Sequence, residues 1–431
     1  MVYLIIKDAF IRALLSLIAG LVYKNRMDQV RKLYLASFLK NQVYFVPIIV
    51  LFFQNLGLNY AQIFWIFTIG AAFSFVIEIP TGIFADLYGQ RRSIIISKFL
   101  IFVSFIFFGL AGNFIMLLIA NLIYELGKSF RSGTETAYAV NYLNEQKEKY
   151  TRTGEEKYHL PSYTKVKINQ KFYARISESL AAIFGGFIAY RFGFSWVFFV
   201  AALPALINWL QTLSWAKLAG EEGRPLEQTS LSAHWLFLKE SFRELRGKKV
   251  ISMIIINISV FGAALAALDK FVQPYMKSAG IELQHFGLIY SLFLIIIAFL
   301  VKFAAKLEDK VGGEKIMNYS NLFALVPLVV LASGAPTIWS VALFFVVLMI
   351  DNLRSPVANN LFHEQVSAAK RATMGSILEL FESLNKLWIL PLIGYAADIL
   401  SINTAILIIG ALISVNLLFF SIKGAKEGEL V

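Results

Sequence analysis

"GIFADLYGQRR", residues 82–92, closes a run from Ala61 to Phe84 in which Glu78 is the only charge. A run of that length crosses a bilayer core, whose thickness takes about 20 helical residues. The chain thus places Gly82, Asp86, Gly89, Arg91 and Arg92 where a lipid-facing helix meets water. On both sides the same pattern recurs, apolar windows parted by short charged segments. Of 431 residues, 58% are hydrophobic, 15% aromatic and only 16% charged, and mean hydropathy is +0.66. Soluble domains carry roughly 25% charged residues. The composition therefore reads as an all-α polytopic membrane protein.

Windows of about 19 residues place twelve transmembrane helices, near 33–55, 61–85, 93–112, 114–141, 172–190, 194–216, 250–273, 284–305, 316–333, 337–363, 372–397 and 402–422. They form two six-helix bundles, 33–216 and 250–423. The connector 217–249 carries Trp235, Leu238, Phe242 and Leu245 at helical spacing beside Lys239, Arg243 and Arg246, as an amphipathic helix on a membrane surface does. In the opening segment, 1–26, Lys7, Asp8 and Arg12 leave only Ala13–Tyr23 uncharged, too short to span. That segment is read as an N-terminal interfacial helix. The stretch "NEQKEKYTRTGEEKYHLPSYTKVKINQ", 144–170, reads as a basic cytoplasmic loop.

The formal net charge is +12, yet the cations sit between apolar runs, so they set topology and no nucleic-acid partner is expected. With the first span running outward, only Arg191 and Lys277 lie in outer connections, whereas Lys24, Arg26, Arg31, Lys32, Lys370 and Arg371 lie inside. That asymmetry puts both termini in the cytoplasm. Zero cysteines exclude disulfides and thiolate chemistry and agree with a bacterial inner membrane. His159, His234, His285 and His363 are scattered, so no metal and no cofactor are expected. With no G-x-x-x-x-G-K-[ST] loop, no hydrolase elbow and no pore-filter repeat, neither a primary pump, an enzyme nor a channel is indicated.

The second half repeats landmarks of the first. Asp86 and Gly89 correspond to Asp309 and Gly312 of "KLEDKVGGEK", 306–315, and Arg131 of "RSG" to Arg354 of "RSP"; 309 − 86 and 354 − 131 are both 223. Landmarks at one offset on equivalent helices point to a parallel duplication, two bundles related by a pseudo-twofold.

With Gly82, Asp86, Gly89, Arg91 and Arg92 in place, "GIFADLYGQRR" resembles the loop motif of the major facilitator superfamily, G-x-x-x-D-[RK]-x-G-[RK]-[RK]; Leu87 and Gln90 depart from it. "EIPTG", 78–82, and "SGTETA", 132–137, resemble a bacterial drug-export-like branch of that family. The resemblance covers about residues 33–423. It implies two bundles around a central cavity that opens alternately to either side. Gly82 and Gly89 then permit close helix approach and a tight turn, and Asp86 faces the positive end of a helix in the other half, near Arg371–Gly375. On this reading Asp86 latches the cytoplasmic side, and Arg91 and Arg92 hold position on carboxylates or lipid phosphates.

A charge at mid-bilayer costs about 2.5–3.5 kcal/mol on insertion scales, so intramembrane charges need partners or water. On the fourth span Asn121, Glu125, Lys128, Arg131, Ser132 and Glu135 share one stripe. Asp351 with Arg354 and Glu379, Glu382 with Lys386 follow on the tenth and eleventh, and Lys40 and Asn41 on the first. Pairs are expected between Glu125 and Lys128, Asp351 and Arg354, and Glu382 and Lys386. Arg131 and Glu135, with Glu78, are assigned to the gate; the remaining charges are assigned to a cargo and proton cavity, with Glu125, Glu382 and then Asp351 as coupling carboxylates.

The functional expectation is a secondary active transporter, a monomer in the lipid bilayer, that couples protons to export of a small amphipathic or charged organic cargo such as a drug or siderophore-like metabolite. Uptake of an organic anion is the alternative within transport. A non-transporting membrane receptor, using 144–170 and 217–249 as docks, is the alternative outside it.

Overall fold

The computed structural model describes residues 28–153, 161–218, 249–334, 336–366 and 371–422. The interfacial segment 1–26 and most of the connector 217–249 lie outside the described residues. Among the described residues are fourteen α-helices and no strand. In chain order they are α1 (Gln29–Lys40), α2 (Ile49–Asn55), α3 (Tyr60–Tyr88), α4 (Gln90–Leu110), α5 (Phe114–Arg131), α6 (Thr134–Thr153), α7 (Tyr163–Phe192) and α8 (Phe194–Thr212), then α9 (Lys249–Ser278), α10 (Leu283–Val311), α11 (Gly313–Ser333), α12 (Ile338–Glu364), α13 (Arg371–Ile399) and α14 (Ile402–Phe419). Seven of them, α3, α4, α8, α9, α11, α12 and α14, are long and apolar enough to cross a membrane by length and composition.

Local chemistry sets the helix ends. Gly89, Gly193 and Gly312 each end one helix and start the next, at φ of 94°, 97° and 87°. A side chain at such a φ is strained, which is why single glycines make these corners. The duplicated landmarks Gly89 and Gly312 thus share one backbone conformation. Elsewhere a polar side chain caps the new helix: Asn59 and Gln62 form a reciprocal capping box on α3, and Thr337 and Ser340 do so on α12.

Two windows read as continuous are broken. The first, 33–55, is split into α1 and α2 by the non-helical stretch 41–48. Pro47 supplies no backbone donor there, and the freed groups find partners in neighbouring helices. Ser177 Oγ donates to the Phe38 carbonyl, Gln42 Nε2 donates to Ser177 Oγ at 2.8 Å, and Gln273 Nε2 donates to the Val46 carbonyl at 2.8 Å. Gly185 lies against the break so closely that a Cβ there would sit 1.9 Å from the Tyr44 carbonyl oxygen. Unwound backbone at membrane depth needs such burial in protein. The second break falls in 114–141, where Ser132 and Gly133 (φ 65°) separate α5 from α6.

The expected loop 144–170 is helical in most of its described part: α6 runs on to Thr153 and α7 begins at Tyr163. The stretch "NEQKEKY" is rich in good helix formers with opposite charges spaced to meet on one face, so it continues the helix past the apolar boundary.

Lipid tails are as apolar as leucine, so helix association in a membrane relies on close packing by small residues and on hydrogen bonds. The front helices, α1–α8, and the back helices, α9–α14, meet chiefly where α3 packs on α13 and α7 on α10. At the second contact a Cβ on Gly186 would lie 2.5 Å from the Leu283 carbonyl oxygen, and one on Gly287 1.9 Å from that of Ala182. Both contacts lie toward one end of the molecule, called here the Tyr60 end. The opposite end carries Gly89 and Gly312.

Candidate functional site

The break "RSG" decides where the charges of the fourth window go. Because α5 stops at Arg131 and α6 restarts at Thr134, Glu135 leaves the α5 stripe and turns inward from the first turn of α6. There it meets two lysines. Lys40 Nζ, at the end of α1, lies 2.9 Å from Glu135 Oε2, and Lys98 Nζ, from α4, donates to Oε1. Lys98 is only 2% exposed. A lone lysine in the apolar window 93–112 was a signal for such a partner, and the sequence reading passed over it.

Lys40 and Glu135 border a cavity of about 490 Å³, lined also by, among others, Asn41, Glu78, Lys128 and Arg131, and Lys98 lies behind it. Lys167 and Lys171 of α7 complete its charged wall, and it is exposed at Glu78, Ser132 and Lys171. Its size suits a small organic molecule. Arg131 and Glu135, expected at the gate, therefore line the cavity. Glu78 accepts from Ser132 Oγ at 2.7 Å, joining α3 to the break.

Other expectations separate in the same way. Glu125 holds Lys128 through both oxygens, at 3.0 and 2.8 Å, and Lys386 Nζ lies 3.9 Å from Glu382. Asp351 and Arg354 form no ion pair within 4.0 Å. Instead Arg354, 2% exposed, donates to the carbonyl and side-chain oxygens of Asn257 and stacks 4.1 Å from the centre of the Phe261 ring. The guanidinium is captured by α9 because Asn257 is fully buried and has an acceptor to offer. Asn121 is a packing residue, its Nδ2 donating to the Ile66 carbonyl at 3.0 Å. Glu379 is exposed on α13.

The loop cluster departs from its expected latch. Asp86 is exposed and makes no hydrogen bond with the described residues. Gly82 is exposed too, and a Cβ there would meet nothing within 4 Å, so no close helix approach depends on it. Arg91 donates to the carbonyls of Leu213 and Trp215, tying the start of α4 to the end of α8. Asp309 is exposed, while its neighbour Glu308 accepts from Asn360 at 2.9 Å.

A latch of the expected chemistry exists at the other end. Asp398, one residue before the end of α13, accepts from the backbone N–H of Tyr60 (2.8 Å) and of Ala61 (2.7 Å), the first two residues of α3. A carboxylate on free N–H groups at a helix start is favourable both as hydrogen bonding and against the helix dipole. Beside it Phe271 packs against Tyr60 and Phe64, with ring centres 5.5 Å away in each case. Gln273 spans from α9 to the broken first window, accepting from Val50 N at 2.8 Å. The Tyr60 end is thus sealed between front and back helices, while the carboxylate at the Gly89 end stands free.

Changing Asp398 to Asn keeps the shape and removes the charge. We expect it to weaken this seal by about 1 kcal/mol, roughly a fivefold shift toward separation at the Tyr60 end. Spin labels on cysteines placed at Tyr190 and Leu400 of the naturally cysteine-free chain would read it as a growing long-distance population. An unchanged distance distribution would show that Asp398 does not hold the seal.

Seven helices apolar enough to cross a membrane, with a charged cavity among α1, α3, α5, α6 and α7, define a polytopic helical membrane protein. Residues 33–152 and 174–385 match the Major Facilitator Superfamily, and the chain belongs to that family. An uncharacterized MFS-type transporter of Methanocaldococcus jannaschii is 25% identical over 278 residues, which cover 64% of this chain and 66% of that protein, just under two thirds of its length. Among solved structures, the nucleoside transporter NupG superposes with a TM-score of 0.72 at 17% identity, covering 91% of this chain and 98% of NupG. A D-xylose-proton symporter superposes at 0.67 with 15% identity, covering 92% and 97%. These likenesses establish the shared fold.

Proposed function

We propose that the chain is a secondary active transporter that works by alternating access and couples protons to the export of a small charged organic compound from a bacterial cell. The observation that carries this reading is the charged cavity of about 490 Å³, exposed on one side while Asp398, Gln273 and the Gly186/Gly287 contact seal the other. Export is favoured by the resemblance of "EIPTG" and "SGTETA" to drug-export-like relatives, and proton coupling by the carboxylates that hold lysines inside the molecule. That a D-xylose-proton symporter shares the fold agrees with proton coupling.

In this reading the broken pieces α1 with α2 and α5 with α6 each make one crossing, for twelve crossings in two bundles of six about a pseudo-twofold. Val50 and Gln273, which touch, are themselves 223 residues apart. Equivalent residues of two repeats meet each other at the axis that relates them. Both termini then lie in the cytoplasm, the Gly89 end faces inward and the Tyr60 end faces out, and the protein acts as a monomer in the inner membrane. Single cysteines at Arg191 and Lys277 should react with an impermeant maleimide added outside intact cells, and one at Lys171 should not; the reverse pattern would invert the topology.

Uptake of an organic anion is a second reading, favoured by the cation excess of the cavity wall. Proteoliposomes loaded with cargo, identified by thermal-shift screening at two pH values, separate the two by the sign of the proton gradient that drives flux. Flux indifferent to both gradients would overturn proton coupling. Within this reading Glu125 and Glu382, followed by Asp351, are the coupling carboxylates. Glu125→Gln is expected to leave cargo exchange intact but to flatten its pH dependence; an unaltered pH profile would remove Glu125 from the coupling path.

A further inference from the structure

Four charged side chains from four helices converge at the inner wall of the cavity. Lys40 comes from α1, Lys98 from α4, Arg131 from the end of α5 and Glu135 from the start of α6. Each oxygen of Glu135 is occupied by one lysine. Three cations thus share one carboxylate, leaving an excess of two positive charges at a site whose Lys98 is 2% exposed and whose Glu135 side chain is 22% exposed. Arg131 has no place left on Glu135, and its Nη1 is buried with no hydrogen-bond partner. A buried donor left without an acceptor is costly, and a guanidinium presents a planar fork that matches the oxygens of a carboxylate or phosphate.

The rest of the cavity does not cancel this excess. Lys128 is already held by Glu125, and Lys167, which donates to Thr136 Oγ1 at 3.2 Å, and Lys171 outweigh the single negative charge of Glu78. Behind the cluster only about 20 Å³ remains, between Lys40, Lys98, Arg131 and the rings of Phe105 and Tyr124. A ligand therefore reaches Lys40 and Arg131 from the large cavity and goes no deeper, with Lys98 behind them.

We propose that Lys40, Lys98 and Arg131 form an oxyanion subsite that receives the carboxylate or phosphate group of a small organic anion, with Glu135 as its resident counter-ion. The proposal rests on the transporter reading for the idea that this anion is cargo, but not for the binding itself. Arg131 supplies the free donors, the two lysines supply field, and the body of the ligand extends into the large cavity toward Lys167 and Lys171. Cationic compounds are excluded by the same charges.

Purified protein melted in detergent at constant ionic strength tests the subsite with benzoate, its neutral match benzamide, inorganic phosphate and chloride. Benzoate and phosphate are expected to raise the melting temperature over chloride, and benzamide to have no effect. Arg131→Gln should weaken the apparent affinity for benzoate about tenfold or more, the loss of one charge-assisted hydrogen bond. Lys40→Gln, on the more exposed side of the cluster, provides the same reading should the arginine variant not fold, while Lys165→Gln, outside the cavity, should leave the shift unchanged. The subsite is overturned if benzoate gives no shift, if benzamide matches it, or if neither cavity variant diminishes it. Binding without gradient-driven flux would instead sink the transport reading and leave the subsite standing. Proton-driven flux without any anion effect would do the reverse.

Discussion

Replacing Gly287 with valine is expected to prevent closure at the Tyr60 end and to reduce transport by more than tenfold. A Cβ on Gly287 would lie 1.9 Å from the Ala182 carbonyl oxygen and 2.9 Å from that of Ile183, both backbone atoms of α7. Backbone inside a helix cannot rotate away as a side chain does, so relief comes only from parting α10 from α7. Overpacking of this kind costs on the order of 3 kcal/mol, enough to change the ratio of two conformations by about a hundredfold. Since alternating access needs both conformations populated, turnover falls even though each helix remains intact. A cysteine at Phe271, fully buried at this end with the native glycine, should become reactive toward an impermeant maleimide in the valine variant. Continued protection of that cysteine would mean that the glycine contact does not govern closure.

Substituting glutamine for Glu135 is expected to destabilise the protein by about 2 kcal/mol, below the roughly 3–5 kcal/mol for breaking a fully buried ion pair, because the carboxylate side chain is 22% exposed. The loss comes from Lys98, which cannot reach water and is left among Lys40 and Arg131 with no counter-ion. Removing both members of a buried pair is far less damaging than removing one. The double change Glu135→Gln with Lys98→Met should therefore recover most of the melting temperature and, because Arg131 and Lys40 keep the excess of two positive charges, should retain the benzoate shift. A double variant no more stable than the single one would show that Glu135 is not there to balance Lys98.

How far the sequence reached depended on whether a feature was local. Helix positions followed from hydropathy, and the duplicated Gly89 and Gly312 from one numerical offset, since a corner between two helices is written in a few consecutive residues. The pairing of Glu125 with Lys128 was legible for the same reason, as side chains three apart on a helix are neighbours. Asp351 and Arg354 have the same spacing, yet Asn257, 97 residues away, takes the arginine. Spacing names a possible partner but says nothing of competitors on other helices. Asp86 and Asp398 make the point most sharply: each precedes the end of its helix by one or two residues, α3 and α13 are packed together, and only the conformation decides which carboxylate finds a helix start.

By itself, the order of residues determined that this chain lives in a membrane, that it is helical, that its landmarks recur at a spacing of 223 and that it carries charges lipid will not accept unpaired. Those properties depend on transfer free energies and helical periodicity, which act over a single turn or a single span. Only the tertiary structure decided where the helices break, which cations share Glu135, that Lys98 stands behind the cavity, and which end is sealed. Each of these depends on groups from separate helices competing for the same hydrogen bonds in a space too dry to supply others.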